Sequence, residues 1–430
     1  MLMVLGFAMV ASFMILIMTR RLSALVALIL TPLVFGVVAG HGADLGKMAV
    51  DGIAQLAPTA TLLLFAVLYF ALMIDAGLFD PLVSRVLRLV GDDPVRIALG
   101  TAAVALIVAL DGDGATTALI TITAFLPVYR RLGMNPLVLA VILGSANTVM
   151  NMFPWGGPSG RAAAALRIDP ADVFIPLLPT IAAGVLGTLA IAWHLGRSER
   201  GRLASGVALA SGAMGAPIAF ERDPEAARPR LLWLNLILTL AVLGCAITHV
   251  LPLPLVFMGG FALAMLVNYP SLADQRARLQ AHAGNALPIV LLILAAGLFT
   301  GVMTGTGMID AMAKGVMVVV PEALGPWLGV VTAFLSIPFQ FVLSNDAYYF
   351  GVVPVVAQTA AHYGVAPEVI ARASLLGLPV HGLSPLVAAV YLVSSLLGCD
   401  VGAMQRFGLK WAGLLSLVLI GAAAATGAIL

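Results

Sequence analysis

Uninterrupted apolar runs, each about as long as the ~20 residues a helix needs to cross a bilayer, recur from one end of this sequence to the other. Met1–Met18, Leu22–Gly40 and Pro58–Ala76 are the first three. The apolar positions are continuous rather than alternating, which excludes a β-barrel. Mean hydropathy is +1.08 and 10% of the 430 residues are charged, against about 25% in a soluble domain. Such a chain is not a soluble enzyme, a disordered segment or a nucleic-acid binder. At about 20 residues per crossing plus loops, its length allows roughly ten to twelve helices. The net charge of +2 points to no partner. Cys245 and Cys399 both follow apolar stretches and read as small core residues, not a disulfide or metal pair. Met1–Met18 lacks a basic leader and a small-residue cleavage site, so it reads as a retained first helix.

Beyond Ala76 comes a polar stretch, Gly77–Val95, then Arg96–Leu110 and Ala118–Tyr129 around a polar tip. Leu137–Leu166 and Val173–His194 complete the first half. Gly196–Arg230 is a polar loop with six arginines. The second half holds Leu231–Val250, Pro252–Asn268, Asn285–Thr304, Leu324–Leu343, Tyr348–Ala361, Val369–Leu397 and Phe407–Ile429. The halves echo each other. Asp75-Ala-Gly-Leu-Phe-Asp80 resembles Gly305-Thr-Gly-Met-Ile-Asp310, and Leu110-Asp-Gly-Asp113 resembles Leu343-Ser-Asn-Asp346. Gly133-Met-Asn-Pro136 resembles Gly364-Val-Ala-Pro367, and Pro158 falls against Pro385. One order and one offset of about 230 residues indicate a duplicated unit.

Arg96–Leu110 gives about 22 Å of helix, short of the ~30 Å hydrocarbon core. Two short arms around a polar tip read as a re-entrant hairpin. The expected architecture is therefore all-α and polytopic: two repeats, each of five crossings plus one hairpin, with helices broken at the midplane. An odd number of crossings inverts the second repeat. The expected divisions are 1–195 (hairpin 96–130, broken helix 137–166), a cytoplasmic linker 196–230, and 231–430 (hairpin 324–361, broken helix 369–397). With both termini outside, all 22 basic residues except Lys47, Arg161, Arg167, Lys314 and Arg372 fall on the inner side, as the positive-inside rule requires.

Four polar constellations interrupt the apolar background. The first tip reads Asp111-Gly112-Asp113-Gly-Ala-Thr116-Thr117, and acids at membrane depth cost at least about 2.5–3.5 kcal/mol each unless paired or hydrated. The second tip offers Ser344, Asn345 and Asp346. The third runs from Asn147 through Asn151 to Pro154, Gly156, Gly157, Pro158, Ser159 and Arg161, where proline and glycine must break the helix. Unwound backbone is tolerated in a bilayer only where it is buried in protein or lines a cavity. The Arg161 fork suits a carboxylate, whereas Arg167 reads as a snorkelling arginine. The fourth, Pro379-Val-His381-Gly-Leu-Ser384-Pro385, is the mirror break, with His381 able to titrate, bind an anion or ligate a metal. Asp75 reads as interfacial, and His194 and His249 as facing headgroups.

Together these motifs resemble the CitMHS family of citrate–divalent-metal:proton symporters, within the ion transporter superfamily. The resemblance runs over essentially the whole chain. Ser159 stands where threonine is usual and conserves the hydroxyl. The resemblance implies a homodimer in the cytoplasmic membrane, with a scaffold and an elevator-like transport domain. It also implies uptake of citrate already complexed with a divalent or ferric cation, with no resident cofactor. Citrate near neutral pH is close to a trianion, and a divalent cation leaves about one negative charge. One arginine and helix N-termini would hold that complex, with Asp111, Asp113 and Asp346 against the metal. Asp113 or Asp346 is favoured over His381 for proton coupling. The alternatives are a proton- or sodium-coupled carrier of another di- or hydroxycarboxylate, and a membrane-embedded metal-dependent transferase using Asp111-Gly-Asp113.

Overall fold

The computed structural model describes residues 1–205, 224–248 and 250–430; Arg222 and His249 lie outside the described residues. The chain is all-helical. The first half holds α1 (Leu2–Met18), α2 (Ala24–Val38), α3 (Leu45–Asp75), α4 (Asp80–Val90), α5 (Pro94–Val108) and α6 (Gly114–Leu132). It continues through α7 (Pro136–Met150), α8 (Gly157–Leu166) and α9 (Pro170–Ala204). The second half holds α10 (Leu232–Thr248), α11 (Leu253–Asn268), α12 (Leu272–Gly305), α13 (Met308–Met317), α14 (Leu328–Val342) and α15 (Val353–Ala361). It ends with α16 (Pro367–Leu375), α17 (Leu378–His381), α18 (Ala388–Leu397) and α19 (Val401–Ala425). Among the described residues, seven helical stretches are long and apolar enough to cross a membrane.

Several helices outrun the apolar segments that announce them, because polar residues set their ends. Asp93-Pro94, Asn135-Pro136 and Asp169-Pro170 start α5, α7 and α9: each acid or amide accepts the N–H two residues on, at 3.1, 2.9 and 2.9 Å, and proline fits the first helical position. The stretch expected to be the first hairpin arm therefore runs from Pro94 through a 3₁₀ turn to Asp111, long and apolar enough to count among those seven, and the stretch expected to be its partner runs from Gly114 to Leu132. Both are longer than the 96–110 and 118–129 read from hydropathy. The second arm closes on Gly133 at φ 70°, with Arg130 and Arg131 in its last turn, where cations complement the helix dipole. Likewise α9 carries helix into the stretch read as a polar loop, ending at Ala204, and Ser271 caps α12 fourteen residues before the apolar run begins.

The buried side chains form two cores. One joins α1–α3 with α10–α13 and takes in Ala164 and Ala165 of α8, Ala171 of α9 and Val355 of α15, and the other joins α5–α7 and α9 with α14–α19. The axis of the first core is the contact of α3 with α12, where glycines let the backbones touch. A Cβ on Gly52 would lie 2.1 Å from the Gly297 carbonyl oxygen, and one on Gly301 would lie 2.3 Å from that of Met48. Gly297-Leu-Phe-Thr-Gly301 is the small-xxx-small pattern of close helix pairs. Asp75, expected at the interface, instead closes this pair of helices: its Oδ2 lies 3.1 Å from Arg278 Nη1 and 2.6 Å from His282 Nε2. Arg167 does not snorkel: it ends α8 at φ 57°, with Nε and Nη2 buried and unpartnered. His194 stacks 5.3 Å from the Trp411 ring, and both cysteines are free.

Candidate substrate-binding site

The break after α7 is the hub of the site. Residues 151–156 leave the helix, and Gly156 is obligatory there, because a Cβ would fall 2.2 Å from the Asn151 carbonyl oxygen. Ser159 Oγ donates to that same oxygen at 3.1 Å, satisfying a carbonyl that the break would leave without a partner. The hydroxyl expected to meet substrate is thus engaged within the break.

Trp155 ties the break to the first tip. Its Nε1–H donates to the Leu110 carbonyl oxygen at 2.7 Å, and the side chain is 2% exposed. Its ring packs against Phe153, Phe70 and Phe257, with centroids 5.0, 5.7 and 4.9 Å away, so it bridges the two cores. Behind it, Gly112 turns at φ 75°, a left-handed conformation that glycine adopts without strain. Asn147 stands over the start of α6, with Nδ2 3.0 Å from where a Cβ on Gly114 would lie and Oδ1 buried without a partner.

At this tip the two acids part in role. Asp113 caps α6: its oxygens accept from Ala115 N at 3.1 Å, Thr116 N at 3.1 Å and Thr116 Oγ1 at 2.5 Å. Asp111 is 4% exposed and accepts from Asp113 N at 2.9 Å and Thr117 Oγ1 at 3.4 Å. Thr116 and Thr117 therefore serve the acids of their own loop.

Arg161 ties the break to the second tip. Its Nε donates to Asp346 Oδ1 at 2.7 Å, across 185 residues of sequence, and the two side chains are 18% and 20% exposed. Gly157 lies alongside, a Cβ there being 3.0 Å from Arg161 Nη1. The guanidinium expected to await a substrate carboxylate thus holds a carboxylate of the protein. At the same tip Ser344 Oγ accepts from Ala347 N at 3.3 Å, and Asn345 Oδ1 is buried without a partner.

The mirror break is held by α14. His381 Nδ1 lies 2.7 Å from the Gln340 carbonyl oxygen, and Ser384 Oγ donates to that of Phe341 at 2.7 Å. A ring nitrogen facing a carbonyl carries a proton, so Nδ1 is the donor of this bond. Both residues are buried and act as anchors of this break. Gln340, passed over in the sequence, donates from Nε2 to the Ser374 carbonyl oxygen. Its signal was an amide within an otherwise apolar arm. Trp155 lies inside the third motif, and a donor-bearing ring within a helix break is its signal.

Asp111, Asp113 and Asp346 do not form a metal cage: among the described residues no group of three or more His, Cys, Asp or Glu side chains is placed to hold a metal ion. The arrangement offers one guanidinium, one opposed carboxylate, an acidic tip and unpaired amide oxygens around an unwound segment. That suits a ligand that brings its own cation.

The sequence profile of the citrate transporter family, CitMHS, matches residues 13–377. A citrate transporter of Bacillus subtilis (strain 168) is 51% identical over 415 residues, covering 96% of each chain. A second protein of that organism, named a Mg(2+)/citrate complex secondary transporter, is 46% identical over 430 residues, covering 100% of this chain and 99% of its own. The crystal structure of the Alcanivorax borkumensis YdaH transporter matches with a TM-score of 0.58 at 14% identity, covering 90% of both chains. Neisseria gonorrhoeae MtrF matches with a TM-score of 0.59 at 12% identity, covering 89% of this chain and 84% of its own. These two likenesses are of fold. By profile and by full-length identity, this chain belongs to the CitMHS citrate transporter family.

Proposed function

We propose that this protein is a secondary active transporter that imports citrate as a complex with a metal cation, coupled to protons. The observation that carries the reading is the convergence of both tips on the α7–α8 break, through Trp155 within it to Leu110 and through Arg161 at the start of α8 to Asp346. Unwound backbone is tolerated in a bilayer only where it is buried in protein or lines a water-filled cavity, and an arginine beside it suits carboxylates. Metal–citrate keeps about one negative charge, far less than the free trianion, which suits a guanidinium already paired with Asp346. The cation reaches the site already coordinated by citrate, so the site needs no cage of its own.

The order of elements supports two inverted repeats. Long α3, short α4, arms α5 and α6, broken α7–α8 and long α9 recur as α12, α13, the arms α14 and α15, broken α16–α18 and α19. The two cores, which share α8, α9 and α15, are read as a scaffold of α1–α3 with α10–α13 and a moving domain of the hairpins and broken helices. Re-entrant hairpins, an elevator motion, a homodimer and outward termini belong to this proposal. Uptake of labelled citrate by proteoliposomes tests it. Accumulation is expected with a divalent cation and an inward proton gradient, and should collapse on chelation. Uptake that survives thorough chelation sinks the metal–citrate reading. Accumulation indifferent to the proton gradient sinks the coupling.

A further inference from the structure

The Arg161–Asp346 pair is part-buried between two elements that the transport reading places in opposite repeats, and it joins unlike charges at the centre of the site. An anion-binding arginine does not need an acid on its Nε, and an acid there weakens its attraction for every anion. We infer that Asp346 is the specificity determinant of this site, excluding metal-free polycarboxylates and admitting those that carry a cation. The inference rests on the metal–citrate reading above and adds the residue that enforces it.

The argument is one of complementarity. With Nε given to Asp346, the edge of the Arg161 guanidinium bearing Nη1 and Nη2 remains to take a carboxylate bidentately. A ligand seated there lies within reach of the Asp346 oxygen that Arg161 does not hold. A metal-free tricarboxylate would bring a second carboxylate against Asp346, and like charges in a part-buried site repel strongly. A metal–citrate complex brings its cation to that place instead, so each protein charge meets its opposite. Discrimination comes from a repulsive element built against the wrong ligand. Asp113 does not substitute for it, because both its oxygens are engaged in capping α6.

The experiment is binding of citrate to the purified full-length protein, with excess Mg²⁺ and after chelation, for wild type, Asp346→Asn and Asp113→Asn. Wild type is expected to bind Mg–citrate at least about tenfold more tightly than metal-free citrate, and Asp346→Asn to bring that ratio to within about twofold, mainly by tightening metal-free binding. Asp113→Asn should keep the wild-type preference. If Asp346→Asn retains the wild-type ratio, the inference is overturned while citrate transport stands. A folded Asp346→Asn protein that binds neither form overturns it too, since Asp346 would then be a clamp that shapes Arg161. Equal relaxation in Asp113→Asn does the same, because any lost negative charge would suffice. Should Asp346→Asn not fold, Asp346→Ser removes the same charge and takes its place. Wild type that binds neither form would instead overturn the citrate reading itself.

Discussion

At Arg161 the geometry of the side chain matters more than its charge. The guanidinium holds Asp346 through Nε at 2.7 Å while its other nitrogens remain available for a ligand. An ammonium has no second edge, so it cannot serve both partners with fixed geometry. Arg161→Lys is therefore expected to weaken metal–citrate binding by about tenfold or more without lowering the melting temperature of the unliganded protein. Titration calorimetry beside a thermal melt checks both halves. Unchanged affinity in the Lys variant would show that only the charge is used.

Among the elements, helix starts and helix crossings carry the stability. Asp93 begins the first hairpin arm by capping Val95 N and takes both oxygens to Arg200 of α9, at 2.6 and 2.7 Å. The hydrogen bonds from Arg200 hold the Asp93 carboxyl below its ordinary range, with smaller help from the Val95 amide and the Arg96 charge. A depressed carboxyl contributes stability that is present above the ordinary Asp range and is lost as pH falls below it. Asp93→Ala should cost about 1 kcal/mol from the lost cap alone. The deficit should shrink as thermal melts are run at more acid pH, and one that grows on acidification would contradict the assignment. The α3–α12 crossing gives a second test. Gly52→Ala places a methyl 2.1 Å from a backbone oxygen, and such overpacking costs about 1–3 kcal/mol. A melt indistinguishable from wild type would mean that the two helices part freely.

Across the whole molecule, the proposed topology places the α2–α3 loop outside and the α11–α12 loop inside. In a protein with Cys245 and Cys399 replaced by serine, Ala43→Cys should react with an impermeant maleimide in intact cells. Ser271→Cys should react only after permeabilisation. The reverse pattern would invert the whole layout, including the side from which each hairpin enters.

The amino-acid sequence alone determined the membrane class, the order of the elements and the places where helices break. Each is dictated locally, by apolar length, by proline and glycine, and by polar residues too costly to strand in lipid. It also marked Arg161, Asp346 and His381 as residues needing an explanation. It misjudged the hairpin arms and α9, because hydropathy stops where a cap begins while the helix does not. The tertiary structure alone decided partnership. Arg161 and Asp346 are separated by 185 positions, as Asp75 is by 203 and 207 from Arg278 and His282, and no local rule relates residues that far apart. Whether an acid caps its own helix, as Asp113 does, or answers a distant arginine, as Asp346 does, depends on which element the fold packs against it.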